Sequence, residues 1–506
     1  MKRRLKQLGC FVGFLVLLIG LFLVVERSRG ERALGERLTR LKNQGEVLEV
    51  SSLQPALVAS NQNAFLLLAT LTNRNDPVLT NISEGPPSLE FVQPGRALVA
   101  WRIDEWNLDE KETNDWQRFG PQVDAATNLV ELLRFAANRP AYSSDFDYQK
   151  GFSDFQIGPL FTVKQGVQVL SAATLNDLRN HRLAEAHSNL CALVKLAVMQ
   201  EPEPLIICQL VRFACASIAF NTTWQALQSP DWTDEQLAAL QTIWSRARFA
   251  EDMERAIAME RAMTINYYEN LRASASSLNR ELADRGEFEE LISGPLPSHG
   301  FILLHLHAPV WRFFWSAQDE LRALNRWQLI VDRIRFARSN SWSALSSKVN
   351  PNDEIYEALF NPDEPRKMNV YDRARYLFSN AAFSINDLTI RRALQVQTLQ
   401  HLVVTAIAVQ RSQRASGELP KNLSELVPRY LSEVPIDNMD GKPVRYRIKS
   451  DAEFLLYSVG YDGTDDGGDC SLVSEKKSYG EIWNGKDVVW PSATKENPPL
   501  AHSRGG

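Results

Sequence analysis

Residues 183–228 read LAEAHSNLCALVKLAVMQEPEPLIICQLVRFACASIAFNTTWQALQ and carry the clearest pattern in the chain. Apolar residues recur at three- and four-residue intervals over 183–200 and again over 204–228, which predicts two amphipathic helices. Glu201-Pro202-Glu203-Pro204 lies between them and breaks the pattern, and Pro204 suits a first helical turn. Helices joined by so short a break are expected to pack antiparallel, so we predict a mainly α fold.

The same helical spacing extends over much of the chain. Apolar residues recur in this way over 125–137, 167–180, 311–345 and 370–414. Thr233 followed by Gln236 predicts a capping box at the start of a further helix. No fixed repeat period connects these helices, so a multi-helix bundle and an α-solenoid are both compatible with the pattern.

The segment 205–220 is apolar enough to be considered as a membrane span. It contains Gln209 and Arg212, and it is shorter than the roughly 20 residues that a span needs. A buried core helix is therefore the preferred interpretation.

A basic N-terminus precedes a long uncharged segment. Lys2, Arg3, Arg4 and Lys6 are followed by residues 8–25, which carry no charge and are long enough to cross a bilayer. No small-residue cleavage site follows, so a retained transmembrane anchor is favoured over a cleaved signal peptide. Basic residues lie on both sides, but the short basic start still indicates a single-pass protein of the bacterial inner membrane. We expect the lipid bilayer as a partner through residues 8–25, and the bulk of the chain in the periplasm.

Changes in composition divide the rest of the chain. Leu34, Leu38 and Leu41 at helical spacing predict a stalk or juxtamembrane helix. Residues 75–122 are irregular with a strand-like run at 97–103. After Arg414 the sequence changes to Gly, Pro, Asp and short β-prone runs. The predicted units are a membrane anchor (1–27), a stalk helix with an irregular α/β segment (28–122), a helical body (123–388), a small α+β module (389–492) and a disordered tail (493–506).

The net charge argues against a nucleic-acid-binding protein, and the spacing of the cysteines argues against a disulfide-stabilised fold. The net charge is −5 over 506 residues, so no basic face for nucleic acid is expected. Cys208 and Cys215 are separated by about 10 Å along a helix, which is too far for a disulfide. We expect the five cysteines to be free and mostly buried.

The C-terminal segment has a more specific order of motifs. A helix ends at Ser416-Gly417-Glu418-Leu419-Pro420, and a short helix follows at 422–428. A turn at Asp437-Asn438-Met439-Asp440-Gly441 then leads into two strand-like runs. The segment closes on Tyr457-Ser458-Val459-Gly460-Tyr461-Asp462-Gly463-Thr464-Asp465-Asp466-Gly467-Gly468-Asp469.

In this order the segment 390–490 resembles the soluble domain of the major pseudopilins of type II secretion. That family has a helix, a G-x-x-P turn, a short helix, a D-P-W-G-x-P turn and a hairpin with Y-S-x-G-x-D-G before a Gly-Gly loop. The resemblance implies a pseudopilin-like module with one calcium ion (Ca2+), bound by Asp462 and an acidic residue after the glycines. The sequence departs from the family at Asp437-Asn438, where Asp-Pro is expected, and in the long insertion between Asp469 and Asp487. No prepilin cleavage site precedes the apolar segment, so we expect a borrowed module and not a filament subunit.

The composition of the loop points to the same ion without the family. Four carboxylates within eight residues repel one another unless water or a hard cation separates them, and glycines let a chain curl around calcium. An EF-hand is excluded because Val473 stands where its bidentate glutamate is due. A solvated Asp-Gly turn is the alternative. The predicted ligands are Asp462, Asp465, Asp466, Asp469 and Asp487.

The rest of the sequence holds no convincing catalytic constellation. His299, His305 and His307 lie near apolar residues with no Cys, Asp or Glu at ligand spacing, which favours packed or capping histidines. The glutamates between 251 and 269 share a helix with arginines and lack a Glu-x-x-His motif, so ion pairs are expected. The chain contains no Gly-x-Ser-x-Gly elbow, Walker loop or dinucleotide fingerprint.

Three functions are compatible with these patterns. The preferred one is a non-catalytic envelope scaffold or assembly factor with a calcium-stabilised C-terminal module and envelope proteins as partners. The second is a membrane-tethered hydrolase, for which we expect a deep polar pocket with convergent ionisable groups in the helical body. The third is a divergent type II secretion-related component, which is expected to assemble with pseudopilins.

Overall fold

The computed structural model describes residues 2–56, 58–74, 82, 91–109, 112–144, 146–151, 158–199, 203–284, 307–348, 368–379, 387–473 and 482–494. Within them the protein is mainly helical with small sheets, as the helical spacing predicted. The helices are α1 (Lys2–Asn43), α2 (Val50–Leu53), α3 (Ala64–Arg74), α4 (Trp116–Ala125), α5 (Thr127–Ala137), α6 (Gly158–Arg179), α7 (Leu183–Val198), α8 (Ile206–Ala226), α9 (Asp234–Trp244), α10 (Phe249–Ala273), α11 (Ala275–Asp284), α12 (Ala308–Val310), α13 (Ser316–Ser339), α14 (Trp342–Lys348), α15 (Val370–Arg375) and α16 (Asp387–Ser416). The strands are β1 (Phe91–Gln93), β2 (Arg96–Leu98), β3 (Glu105–Asp109), β4 (Glu112–Asp115), β5 (Arg445–Ser450), β6 (Glu453–Ser458), β7 (Val488–Val489) and β8 (Ser492–Thr494).

Three helices form the centre of the body. α6, α7 and α8 pack against one another around one hydrophobic core. Glu203, in the predicted break between α7 and α8, is 1% exposed and accepts hydrogen bonds from the hydroxyls of Ser144 and Tyr148, at 2.8 and 2.6 Å. The break therefore fixes the start of α8 to the segment that precedes α6.

α8 is a buried core helix, as its polar residues predicted. Among the described residues, two helices are long and apolar enough to cross a membrane: α8 and the part of α1 from Cys10. The most apolar stretch of α8 is 61% buried, whereas that of α1 is 6% buried. Arg212 of α8 pairs with Asp252 of α10 at 2.6 Å, and its guanidinium lies 4.6 Å from the ring centroid of Phe249. The polar side of α8 thus faces another helix of the body.

α1 continues without a break from the apolar segment into the predicted stalk. Its apolar residues are exposed as far as Val25, whereas Leu34 and Leu41 are buried against Ala317 and Leu324 of α13. The helix predicted from Leu34, Leu38 and Leu41 is present, and its leucines pack into the body. The exposed part has the character of a membrane anchor or a signal sequence.

Ion pairs fix the directions of α10 and α13. Arg272 near the end of α10 pairs with Glu320 near the start of α13, and Glu254 near the start of α10 pairs with Arg335 at 2.6 Å. The two helices therefore run antiparallel. The predicted capping box at the start of α9 is present, with the Thr233 hydroxyl accepting the Gln236 N–H.

Two predicted long helices are interrupted. The helix predicted over 311–345 ends with α13 and restarts as α14, because the Ser341 hydroxyl accepts a backbone N–H bond at 3.1 Å and caps a new helix. The helix predicted over 370–414 is divided because buried Asp319 accepts the two N–H groups of residues 378–379, at 2.9 and 3.0 Å. Hydrophobic spacing could not predict these hydrogen bonds, because it does not show which polar side chain will accept a backbone N–H bond.

The strands connect early and late parts of the chain. β2 pairs antiparallel with β1 and parallel with β8, and β3 pairs with β4. The run predicted as a strand over 97–103 is a strand only as far as Leu98, because the Ala100 N–H donates to the Gln225 side chain at 3.0 Å and a 3₁₀ turn follows. Ala493 and Thr494, within the predicted tail, belong to β8.

α16 is shared by the body and the C-terminal segment. It contacts α8, α9, α10 and α13, and it also contacts β6. One hydrophobic core includes Leu193 of α7, Leu402 of α16 and Val459 after β6. The predicted boundary at residue 389 therefore lies inside a continuous core.

The five cysteines are free, as predicted. Cys208 and Cys215 are buried in the body, and Cys10 is exposed on the apolar part of α1. Cys470 lies partly buried beside Gly95 of the β1–β2 turn.

Candidate ion site in the C-terminal segment

The C-terminal segment folds as a three-stranded sheet against α16. β5 and β6 form an antiparallel hairpin, and β7 pairs antiparallel with the end of β6. The last four residues of β6 are buried. The end of β6 and the start of β7 hold both ends of the segment that contains the acidic loop.

Asp437 joins the turn before β5 to the end of β6. Its fully buried carboxylate accepts hydrogen bonds from the Met439 N–H, the Ser458 hydroxyl and the Val459 N–H, at 3.0, 2.8 and 2.9 Å. Burial raises the pKa of Asp437, and these donors oppose the shift. The turn and the strand end are therefore held at a fixed separation.

Arg445 of β5 links three carboxylates. Its guanidinium donates to both oxygens of Asp440, to Asp465 Oδ2 at 3.2 Å and to Asp437 Oδ2 at 3.4 Å. Burial opposes the charged form, but the carboxylates prevail and raise the pKa of Arg445. A planar guanidinium can serve several carboxylates at once, so this side chain ties the acidic loop to the preceding turn.

A glycine and two turns set the shape of the loop. Gly460 has a φ of +69°, and a Cβ there would lie 2.0 Å from the carbonyl oxygen of Lys486, so the position requires glycine. Asp462 and Asp465 each accept the backbone N–H two residues further on, at 3.0 Å. Such Asx turns hold both carboxylates close to the loop backbone.

The insertion between Asp469 and Asp487 is closed by its own ends. The Asp487 N–H donates to the Asp469 carbonyl, and the Lys486 N–H donates to the Ser471 carbonyl, each at 2.9 Å. This short antiparallel ladder returns Asp487 to the side of the loop. Residues 474–481 lie outside the described part of the chain.

Asp487 is a fully buried carboxylate of the site, and one of its two oxygens lacks a hydrogen-bond partner among the described residues. Its side chain is fully buried, Oδ2 accepts the Gly468 N–H at 2.7 Å, and Oδ1 has no hydrogen-bond partner within the described ranges. Burial, with the nearby charges of Asp465 and Asp466, raises the pKa of Asp487 to about 6 against the opposing N–H groups of Gly468 and Asp466. A buried carboxylate oxygen that lacks a donor is costly, and the chemistry of this donor set suits a hard cation.

The structure brings together some of the five predicted ligands. Asp465 and Asp466 lie close enough to act on the pKa of Asp487. Asp469 instead accepts from the Lys486 ammonium at 2.9 Å, and this hydrogen bond lowers the pKa of Asp469 to about 2. Over the described residues, no group of three or more His, Cys, Asp or Glu side chains is arranged to hold a metal ion. An ion at this site would therefore need backbone carbonyl oxygens or water as well, which calcium accepts.

Sequence reasoning missed the cationic and phenolic partners of the loop. Tyr457 donates its hydroxyl to Asp465 Oδ1 at 3.0 Å, and burial together with this bond raises the pKa of Tyr457 to about 12. Arg445 and Tyr457 are directly opposite each other in the β5–β6 register, so they reach the same carboxylate. The strand alternation of the two runs was the signal that could have paired them.

α14 of the body packs on this site. The N–H groups of Trp342 and Ser343 donate to the carbonyls of Asn438 and Met439, each at 2.9 Å. A Cβ at Gly463 would lie 2.5 Å from the Ser343 Cβ, so the loop and the helix are in close contact. The site is therefore seated between the body and the C-terminal sheet.

Two open cavities in the helical body hold ionisable groups. One, of about 330 Å³, lies between the end of α1, α10 and α13; the other, of about 310 Å³, lies between α4, α5, α6 and α7. In the first, burial opposes ionisation of Glu46, but bonds from Arg335 and the charge of Arg261 lower the pKa of Glu46 to about 2. In the second, Arg182 bridges Asp124 and Asp177. These groups are paired with one another, as in structural ion networks.

The other candidate groups of the body are held in packing contacts. His307 lies 2.8 Å from the Ala374 carbonyl through Nε2 and packs on Trp315, whereas His299 and His305 lie outside the described residues. Burial raises the pKa of Glu260 to about 7, and its carboxylate accepts the Ile206 N–H at 2.9 Å. This bond fixes the start of α8 to α10.

Comparison of the chain with protein-family models, with curated proteins and with solved structures found no match. The likeness of residues 390–490 to pseudopilins thus stays a prediction from the order of motifs. The function of the chain must therefore be inferred from the geometry of its described residues.

Proposed function

We propose that the protein is a membrane-anchored scaffold of the bacterial envelope, and that its C-terminal segment is stabilised by one calcium ion. Residues 8–25 would anchor it in the inner membrane, with the body in the periplasm. The observation that carries the ion is Asp487 Oδ1, which is buried without a partner beside two further carboxylates. The likeness to pseudopilins supports the same assignment.

The residues that would hold the ion follow from this geometry. Asp487 offers its unpaired oxygen, and Asp465 and Asp466 supply the nearest further carboxylates. Backbone carbonyls of the glycine-rich loop complete a set of oxygens of the kind that calcium prefers. Arg445 compensates part of the charge of Asp465, and a bound calcium ion would neutralise the charge that remains on the loop.

A scaffold role is supported by ion pairs in the body cavities and by the hydrogen bonds between the body and the C-terminal site. In the two body cavities Glu46 pairs with Arg335 and Asp124 pairs with Arg182. The C-terminal site is tied to α14 by backbone hydrogen bonds. An ion that binds the folded loop and not the unfolded chain stabilises the fold, by about 2.7 kcal/mol when calcium is in hundredfold excess over its Kd. Such a segment offers a rigid surface for envelope protein partners.

Calcium titration of the full chain in nanodiscs tests the ion. We expect one binding event for the wild type, loss of that event in Asp487→Ala, and retention in Asp451→Ala, which removes an exposed aspartate of the β5–β6 turn. Absence of calcium binding by the wild type would refute the calcium assignment. Equal binding by Asp487→Ala would show that Asp487 is not a ligand and that other residues bind the ion.

A further inference from the structure

The end of the apolar segment lies beside the start of α13. Glu26, directly after the last apolar residue Val25, is 5% exposed and accepts a hydrogen bond from the Gln318 side chain at 3.1 Å. Further along, Glu46 pairs with Arg335. α1 and α13 therefore run in the same direction, and the start of α13 faces the same side as the apolar segment.

The residues before α13 must then lie at the level of that segment. Residues 311–315 form a π-helical turn that continues into α13, and Phe313 and Trp315 precede Gln318 by about 5 to 8 Å along the axis. α15 lies on the same level, because the Tyr371 ring is 6.1 Å from the Phe22 ring and 5.6 Å from the Trp315 ring.

The carboxylate of Glu26, which lies beside these aromatic rings, is fixed by hydrogen bonds. Tyr371 donates its hydroxyl to Glu26 at 3.1 Å, and Arg375 donates to the same carboxylate oxygen at 3.4 Å. A carboxylate with such partners marks the boundary between hydrocarbon and water, because moving this charged group into the hydrocarbon core would cost free energy. The aromatic residues around Glu26 are therefore at the depth of lipid headgroups.

The outer side of this region is apolar and exposed. Phe313 is 51% exposed, Val370 is 74% exposed and Tyr371 is 37% exposed. Aromatic side chains are enriched at membrane interfaces, where an apolar ring meets lipid and a polar edge meets water. The patch is continuous with the exposed apolar surface of α1, which identifies lipid as the occupant.

We propose that Phe313, Val370 and Tyr371, supported from inside by the partly buried Trp315, form a membrane-contacting collar that enters the lipid headgroup region around α1. The inference rests on the proposed anchoring of residues 8–25 and goes beyond it. The body lies directly against the bilayer, and the collar fixes its tilt. Arg29, whose side chain is 76% exposed, pairs with Glu26 at 3.2 Å one helical turn away and is placed to attract lipid phosphates.

Depth-dependent fluorescence quenching tests the collar. The full chain, with Cys10, Cys191 and Cys470 replaced by serine, is labelled at one introduced cysteine with an environment-sensitive dye. It is placed in nanodiscs of phosphatidylethanolamine and phosphatidylglycerol that contain lipids brominated near the headgroup or near the chain end. The dye reports contact with lipid by loss of its emission.

The labelled positions separate the collar from the anchor. We expect dyes at Phe313→Cys and Val370→Cys to lose emission with bromine near the headgroup. A dye at Phe135→Cys, an equally exposed phenylalanine of α5 at 55%, is expected to keep its emission. A dye at Val16→Cys, in the apolar segment, is expected to lose emission with bromine near the chain end.

Each other outcome decides against one proposal or both. If the dye at Val16→Cys is quenched and the dyes at Phe313→Cys and Val370→Cys are not, the collar is refuted and the anchor stands. If the dye at Val16→Cys is not quenched, the anchor and the collar both fail. Equal quenching of the dye at Phe135→Cys would show general adsorption of the body and would overturn the collar.

Discussion

Asp487→Asn removes one charge from the ion site and keeps the shape of the side chain. The amide oxygen can accept the Gly468 N–H bond, which Asp487 Oδ2 accepts at 2.7 Å. The amide nitrogen then replaces Oδ1, the buried atom without a partner, and the side chain carries no charge beside Asp465 and Asp466. The substitution therefore tests whether the buried charge of Asp487 destabilises the loop when calcium is absent.

The pKa of Asp487 sets the size and the sign of the effect. A raised pKa means that the folded protein holds this proton more tightly than the unfolded chain does. The contribution of Asp487 to stability is therefore fully present below pH 3.8 and is lost as the pH rises through about 6. The loss amounts to about 3 kcal/mol for this shift. Asparagine has no such loss, so above pH 6 and without calcium the loop of Asp487→Asn is expected to be more stable by up to that amount.

Hydrogen exchange of peptides that cover residues 462–469 measures this local stability. With chelator, we expect slower exchange in Asp487→Asn than in the wild type at pH 8, and little difference at pH 4. With calcium, the wild type is expected to slow and the variant to stay unchanged. Asp451→Asn, an exposed control, should behave as the wild type throughout. Faster exchange of Asp487→Asn with chelator at pH 8 would refute the reasoning.

Three further substitutions probe the fold around the site and the body, each followed by urea unfolding. Arg445→Leu is expected to destabilise by about 3 kcal/mol because it leaves buried carboxylates unpaired, whereas Lys449→Leu on the exposed end of β5 should have little effect; equal effects would contradict the role of Arg445. Gly460→Ala should cost clearly more than Gly467→Ala, since both have positive φ but a Cβ clashes only at Gly460; similar costs would show that the backbone can move. Glu260→Gln should stabilise by about 3 kcal/mol above pH 7 and by little near pH 4.5, because burial raises the pKa of Glu260 from 4.5 to about 7; a pH-independent effect would exclude this charge as the cause.

Hydrophobic spacing predicted most helices because their stability comes from burying one face. The pairs around 183–228 and the capping box at Thr233 are local patterns, so they are visible without the fold. The interruption at 376–379 is not local. It arises because Asp319, far away in sequence, accepts two backbone N–H bonds that a continuous helix would have used within itself.

The candidate ion site, like the helices, was predictable only as far as its residues are adjacent in sequence. The Asp and Gly residues of the loop are adjacent in sequence, so their composition pointed to it. The role of Asp487 depends on a ladder that closes the insertion, and the pairing of Asp469 with Lys486 depends on the same ladder. Charge partners brought together by strand register, such as Arg445 and Tyr457, require knowledge of that register.

The parallel pairing of β2 with β8 has a consequence for how the chain matures. Arg96 pairs with Ser492, and the Trp224 indole donates to the Pro491 carbonyl at 2.9 Å, so early segments complete their bonding only with the last described strand. Because synthesis proceeds from the N-terminus, β2 can pair with β1 early, but its other edge stays unpaired until β8 has been synthesised. Contacts this distant in sequence form slowly. The edge of β2 that faces β8 is therefore expected to be among the last parts of the early segment to gain its native hydrogen bonds.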